Sequence, residues 1–350
     1  MRIKTAAPHG AGARKRSRGL GVALAGVLLI GACDFNIMNT NAPTVDRLTD
    51  APTRGILASA ATGIFDNAFN DVATEIQYYA LYGREGYNLQ GNDPREPGEH
   101  IRGPQDPTGR NSAIWTGQYS AIRHINTYLS ALPNAPDLSE AEVRASAGFA
   151  KTLKAWHYHR LAVRTGELGI PLDVDRSIDD EPAPFVSFSA AMEAVSELLD
   201  EALADLQAGG SAFPFAMAPG FEDFATPEDF AKFNRALAAK VLVHRATFVG
   251  CTSCWAEASA ALDASFVTDA GLPGSLDLGV YYGYTGVAGE IGNPVAEPIT
   301  NNRYWVHPSI VTGAQDRADG SPDLRFTRKV TEAPAPRTLN DLTGTHKPTL

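Results

Sequence analysis

Beyond about residue 50, apolar residues recur mostly at spacings of three and four, the period of helices that bury one face. In FSAAMEAVSELLDEALADL, Phe188, Met192, Val195, Leu199, Ala202 and Leu206 form one stripe, with Glu193, Glu197, Asp200 and Asp205 largely off it. A helix over 188–206 follows. Leu237, Val241, Arg245 and Phe248 mark another in FAKFNRALAAKVLVHRATF, with Thr226 as N-cap and Pro227 at its first position. A third starts at Ser139, where Ser-Glu-Ala-Glu supplies a capping box with Glu142, and runs to about Arg164. Earlier helices are expected at about 51–80 and 112–132.

Between these stretches the period is lost. YNLQGNDPREPGEHIRGPQDPTGRN, from Tyr87 to Asn111, is rich in Gly, Pro and charge, and a second irregular stretch runs from Gly271 to about Asn302. Connections this long are uncommon in a domain unless they bind something or stay disordered. The expectation is an all-α scaffold over 51–350 carrying long, aromatic-bearing loops. No strict repeat period is visible, although paired helices of this length suit degenerate TPR-like stacking.

The N-terminal region has a different pattern. Arg2, Lys4, Arg14, Lys15, Arg16 and Arg18 precede an apolar run, Gly19 to Ala32, and no acidic residue does. The run falls short of the roughly 20 residues that cross a bilayer as a helix. A basic region, a short apolar core and small residues before a cut point make a secretory signal peptide over 1–32. Its last residues, Ile30-Gly31-Ala32-Cys33, match the bacterial lipobox, in which the cysteine thiol is diacylated and becomes the new N-terminus. An ordinary secretory peptide with an incidental cysteine, or a short anchor, is the alternative; the register of small residues and cysteine favours lipidation. Each buried CH₂ of an acyl chain contributes about 0.8 kcal/mol, so a multiply acylated Cys33 anchors firmly. Residues 33–50, rich in Asn, Thr and Pro, then read as a tether.

Processing at Cys33 changes the charge. The chain has 30 basic and 40 acidic residues, and the six basic ones within 1–32 leave 24 against 40, a net of −16. Such a surface is a poor match for nucleic acid. Cys251 and Cys254 stand in GCTSCW. No second C-x-x-C or nearby His pair completes a metal site, and Trp255 in place of His excludes a c-type haem signature. A small structural disulfide or two unpaired thiols outweighs a redox pair.

Several segments, in order, resemble one known family. NTNAPTVDRLTDAPTR (Asn39 to Arg54) is similar to the stretch after the lipid cysteine. Trp115, Tyr119, Ile122, Asn126 and Leu129 are similar to a W-x-x-x-Y-x-x-I-x-x-x-N-x-x-L helix. GFAKTLKAWHYHRLAVRTGELGIPL resembles a helix running into a Gly-x-x-Pro turn, here slightly longer, Gly166 to Pro171. The 188–206 and 231–248 helices match the next two, and DLRFTRKV (Asp323 to Val330) resembles a later D-x-R segment. On these segments the chain resembles the SusD/RagB nutrient-uptake lipoproteins of bacterial outer membranes. The resemblance implies an all-α, TPR-like fold and a cell-surface lipoprotein that captures glycans or other nutrients without chemistry or cofactor. It also implies a partner, a SusC-like TonB-dependent transporter whose mouth the lipoprotein closes. Family members are usually longer, and the chain, which stops at GTHKPTL, is expected to be C-terminally truncated.

Sugar binding needs flat apolar faces beside amides or carboxylates. The richest candidates are Tyr281, Tyr282 and Tyr284 in GVYYGYTG, and Asn301, Asn302, Arg303, Tyr304 and Trp305 in NNRYWVHP. Some of these rings are expected to pack loops onto helices instead. Tyr78, Tyr79, Tyr82 and Tyr87 come second, the first three facing core from a helix. Trp115 and Tyr119, four apart, read as packing residues. His157 and His159 point about 200° apart on a helix, which argues against a shared metal. Asp173, Asp175 and Ser177 begin like an EF-hand loop, but Ile178 and Pro184 stand where it needs Gly and Glu. A glycoside hydrolase would need two carboxylates about 5–10 Å apart. No G-x-S-x-G, H-E-x-x-H or P-loop is present. A TPR-like adaptor that binds only proteins is the other alternative to nutrient capture.

Overall fold

Helices begin where side chains satisfy their first N–H groups. In the computed structural model, which describes residues 48–68, 71–91, 101–104, 111–177, 179–267, 277–281 and 300–349, Ser139 and Glu142 form the expected capping box. They open α4 (Glu140–Thr165), which follows α1 (Arg54–Ala68), α2 (Val72–Tyr82) and α3 (Asn111–Ala131). Ser187 caps α5 (Phe188–Gln207), and Thr226 with Pro227 caps α6 (Pro227–His244), as the sequence predicts. A π turn at Arg245–Val249 leads to α7 (Cys254–Asp263), and α8 (Pro308–Thr312) and α9 (Leu324–Lys329) are short. The helix expected over 51–80 is two, parted at Asp71, whose φ of 65° is left-handed. Asx residues tolerate that conformation better than most, so a break there is cheap.

The helices stack in chain order, α4 along α5, α5 along α6 and α6 along α7. One core is built of phenylalanines: Phe149 of α4 has Phe65 at 4.7 Å and Phe230 at 5.6 Å between ring centroids. A second, aliphatic core holds Met192, Val195 and Leu199 of α5 against Val241 and Leu242 of α6. Buried Asn234 ties three helices, its amide donating to Thr152 Oγ1 at 2.9 Å and to the Leu199 carbonyl at 3.1 Å. Buried Asp205 accepts Arg144 at 2.9 Å and Lys151 at 3.0 Å.

Close approach of α4 and α5 depends on Gly148. A Cβ there would lie 2.6 Å from Leu206 Cγ and 2.8 Å from the Ala202 carbonyl oxygen. Gly148→Ala therefore forces the helices apart despite the better helix propensity of alanine. Overpacking of this kind costs about 1–3 kcal/mol. A lowered urea midpoint at unchanged slope is the expected result.

Among the described residues, three small antiparallel sheets accompany the helices. β1 (Gly86–Asn88) pairs with β4 (Tyr304–Val306), placing Tyr87 opposite Trp305; β2 (Ile170–Pro171) pairs with β3 (Phe185–Val186). β5 (Val330–Leu339) and β6 (Leu342–Pro348) make a C-terminal hairpin that the helical reading does not anticipate. Asn340 and Asp341, at φ 50° and 64°, form its tight turn, two positive-φ residues as a type I′ turn requires. The register shifts between Glu332 and Arg337, where Pro334 and Pro336 have no N–H to give to the ladder. Cys251 and Cys254 are joined by a disulfide, fastening the turn after Gly250 to the start of α7. Among the described residues no helix is long and apolar enough to cross a membrane.

Candidate ligand-binding groove

The β1–β4 pair joins the segment after α2 to the segment before α8. Tyr87, Tyr304 and Trp305 then lie beside α2, and a cavity of about 270 Å³ opens between them. Ile76, Gln77 and Ala80 of α2 form one wall, and Pro348 of β6 closes an end. Ile76 is half exposed at the rim.

Trp305 is the keystone of the strand wall. It is 3 % exposed, its indole N–H donates to the Asn302 carbonyl at 3.1 Å, and Lys347 Nζ sits 4.2 Å from the ring centroid. The Lys347 ammonium also donates to the carbonyls of Asn301 and, at 3.0 Å, Tyr304. Arg303 lies over the Tyr304 ring, 4.9 Å from its centroid, a cation–π geometry that covers one face. Asn301 Oδ1 accepts the Arg303 N–H at 2.9 Å, and Leu89 N donates to the Arg303 carbonyl at 2.8 Å. Tyr87 meets His307 edge to face at 4.8 Å. Burial, with the Arg84 charge second, lowers the His307 pKa.

Gly344 makes room for the indole, since a Cβ there would fall 2.6 Å from Trp305 Cε3. Gly344→Ala is expected to displace Trp305 and shift its fluorescence to the red as the ring meets water. An unchanged emission maximum would show that the hairpin yields instead.

The structure thus gathers Asn301, Asn302, Arg303, Tyr304 and Trp305 on β4 and its lead-in, with Trp305 in packing and Tyr304 lining the cavity. Tyr281 is elsewhere: its N–H donates to the Gly220 carbonyl at 3.0 Å and its hydroxyl to the Asp277 carbonyl at 2.6 Å, leaving the ring half exposed. Cys33, Tyr282 and Tyr284 lie outside the described residues. Tyr78 faces core and stacks on Tyr82 at 5.9 Å, whereas Tyr79, rotated about 100° from its neighbour, is 50 % exposed and departs from the core expectation. Ile76 and Gln77 carry no sequence signal for a site; only the strand pairing brings them there.

Trp115 and Tyr119 pack as predicted against the second core, yet both stay partly exposed. His157 and His159 diverge. His157 Nδ1 is 2.6 Å from Gln118 Oε1, and His159 Nε2 is 2.9 Å from His244 Nδ1. Burial lowers both to about 3. Asp173 pairs with Arg176 at 2.8 Å. Among the described residues no three metal-ligating side chains are gathered.

The chain is similar in fold to SusD-like proteins. A SusD homolog from Bacteroides fragilis is 13% identical, with a TM-score of 0.45, over 62% of this chain and 42% of that one. A SusD superfamily protein from Parabacteroides distasonis is 16% identical, with a TM-score of 0.44, over 58% and 43%. A laminarin-binding SusD-like protein is 17% identical, with a TM-score of 0.40, over 60% and 42%. The chain thus spans about two-fifths of the length of these SusD-like structures. No protein-family model matches the chain, and no curated protein does.

Proposed function

We propose that this protein is a surface lipoprotein, anchored through Cys33, that captures a glycan or similar oligomeric nutrient and passes it to a SusC-like TonB-dependent transporter of the outer membrane. The observation that carries the reading is the groove between α2 and β4. Two short strands far apart in sequence, β1 and β4, bring Tyr87 and Tyr304 to one apolar cleft with an amide, Gln77, in its wall. Aromatic faces with a few polar groups at their edges are what a sugar ring needs, with C–H groups against the rings and hydroxyls toward the amides. The lipobox at Ile30–Cys33 and the ordered SusD/RagB-like segments support the placement on a membrane and the transporter partner. In this reading the protein does no chemistry; its work ends at binding and hand-over.

The test of the partner is recovery of tagged full-length protein from its native membrane, followed by mass spectrometry. A large TonB-dependent barrel should accompany it, and Cys33→Ser should leave the protein unacylated and release it from the membrane fraction. Recovery without a barrel, under conditions that preserve such complexes, would overturn the transporter partnership.

A further inference from the structure

A second pocket, of about 370 Å³, lies on the outer face of α3, away from the groove. Its floor is Trp115 and Tyr119, one helical turn apart with ring centroids at 4.9 Å. Thr116, Ser120 and Arg123 follow at the same spacing in the adjacent row, so two hydroxyls and a guanidinium run beside the aromatic floor. Pro171 and Val174 form the opposite wall. That wall is held in place: Tyr119 donates to the Pro171 carbonyl at 2.9 Å, Tyr158 to the Leu172 carbonyl at 2.7 Å, and Pro171 pairs with Phe185 across β2–β3. Phe185 extends the aromatic surface, 6.0 Å from Trp115 between centroids and within 12° of parallel, while remaining 61% exposed.

Three observations call for a ligand. Phe185 presents its ring at the surface, near-parallel to the partly buried Trp115, where folding alone gains little from it. The cavity falls within the range of roughly 300–1,000 Å³ typical of small-molecule sites, and its walls are fixed before anything binds. Arg123 is exposed and has no carboxylate partner among the described residues, in a chain whose acidic residues outnumber its basic ones. The nearest acidic side chains in sequence to the far wall are engaged, Asp173 by Arg176 at 2.8 Å and Asp175 within electrostatic reach of Lys154.

We infer that this pocket is a subsite for an acidic sugar, with the ring on Trp115 and Phe185, the carboxylate on Arg123 and the ring hydroxyls on Thr116 and Ser120. The guanidinium fork matches a carboxylate in two hydrogen bonds, which a neutral sugar cannot reproduce. The inference rests on the proposed nutrient capture only in its choice of a sugar as the ligand.

The experiment is calorimetric titration of the full chain with glucuronate oligomers and with neutral glucose oligomers of equal length. Variants Arg123→Gln, Phe185→Ala and Tyr304→Ala are titrated alongside, with melting temperatures as a check on folding. Phe185 is exposed, so its truncation leaves the fold intact even if a change at Trp115 would not. The expected result is binding of the acidic oligomer, weakened about tenfold or more in Arg123→Gln and several-fold in Phe185→Ala. Raised salt should weaken it as well. Binding of only the neutral oligomer, lost in Tyr304→Ala, would overturn the acidic subsite and leave the groove reading standing. Acidic-oligomer binding that survives Arg123→Gln, or no acidic-oligomer binding at all, would overturn it too.

Discussion

Arg160→Met is expected to cost about 3–5 kcal/mol of stability, because it leaves the Glu75 carboxylate buried without its partner. Arg160 reaches from α4 to α2, with its Nη2 2.5 Å and its Nε 3.1 Å from Glu75 Oε2, and its Nη1 also donates to the Ala68 carbonyl at 3.2 Å. Both side chains are nearly enclosed, at 10% and 12% exposure, so water does little to screen the pair or to replace it. Against a usual folding free energy of about 5–15 kcal/mol, that loss is a large fraction. It should appear as a lower urea midpoint. The double variant Arg160→Met with Glu75→Leu should recover much of the loss, since an apolar pair of similar size is often as stable as a buried ion pair. Glu75 directly precedes Ile76 in the groove wall, so the single variant should also weaken ligand binding at temperatures where the protein is still folded. A single variant as stable as the wild type would show that α2 is held by its apolar contacts alone.

Acid should destabilise the protein before its carboxylates titrate. His157 and His159 are buried and neutral, and burial lowers each to about 3; the Arg160 charge adds to the shift at His157, and His244 and Lys240 add to it at His159. A histidine whose folded pKa lies below its unfolded value takes up a proton on unfolding, so falling pH favours the unfolded chain. The stabilising contribution is complete above about pH 6.5 and declines toward pH 3, by about 1.4 kcal/mol per pH unit for each histidine. By pH 5 the two together forfeit about 4 kcal/mol. His124, His244 and His307 shift in the same direction and steepen the slope. Glu142, which Arg54 and Ser139 hold down at about 2, contributes only at lower pH, where its unfolded form begins to protonate. Urea midpoints measured between pH 7.5 and 5 should therefore fall steadily, and His157→Gln should flatten the fall. A midpoint constant across that range would contradict the buried, neutral assignment.

Local signals account for what the sequence discloses about this fold. The Ser139–Glu142 capping box, the Thr226–Pro227 start and the stripe from Phe188 to Leu206 each act within one helix, and each element forms where it is read. The hairpin was hidden for a chemical reason. Pro334 and Pro336 interrupt the alternation of β5, and its turn is Asn340-Asp341 rather than the stronger Asn-Gly signal. The groove was only half visible. Tyr304 and Trp305 stand out as aromatic residues beside amides, but their partners Tyr87, Ile76 and Gln77 arrive through the long-range pairing of β1 with β4, which no local period encodes. Likewise, the four-residue spacing of Trp115 and Tyr119 shows a shared helical face, but not that the face ends at an open pocket.

If the α2–β4 groove binds a saccharide, removing the Tyr304 ring at its wall should weaken that binding. Wild-type protein and Tyr304→Ala can be screened side by side on an array of neutral oligosaccharides. The expected result is a defined set of bound glycans, with affinity reduced about tenfold or more when the Tyr304 ring is removed, the loss expected for a central aromatic contact. Absence of any bound glycan, or glycans bound equally well by Tyr304→Ala, would rule out saccharide binding in the groove.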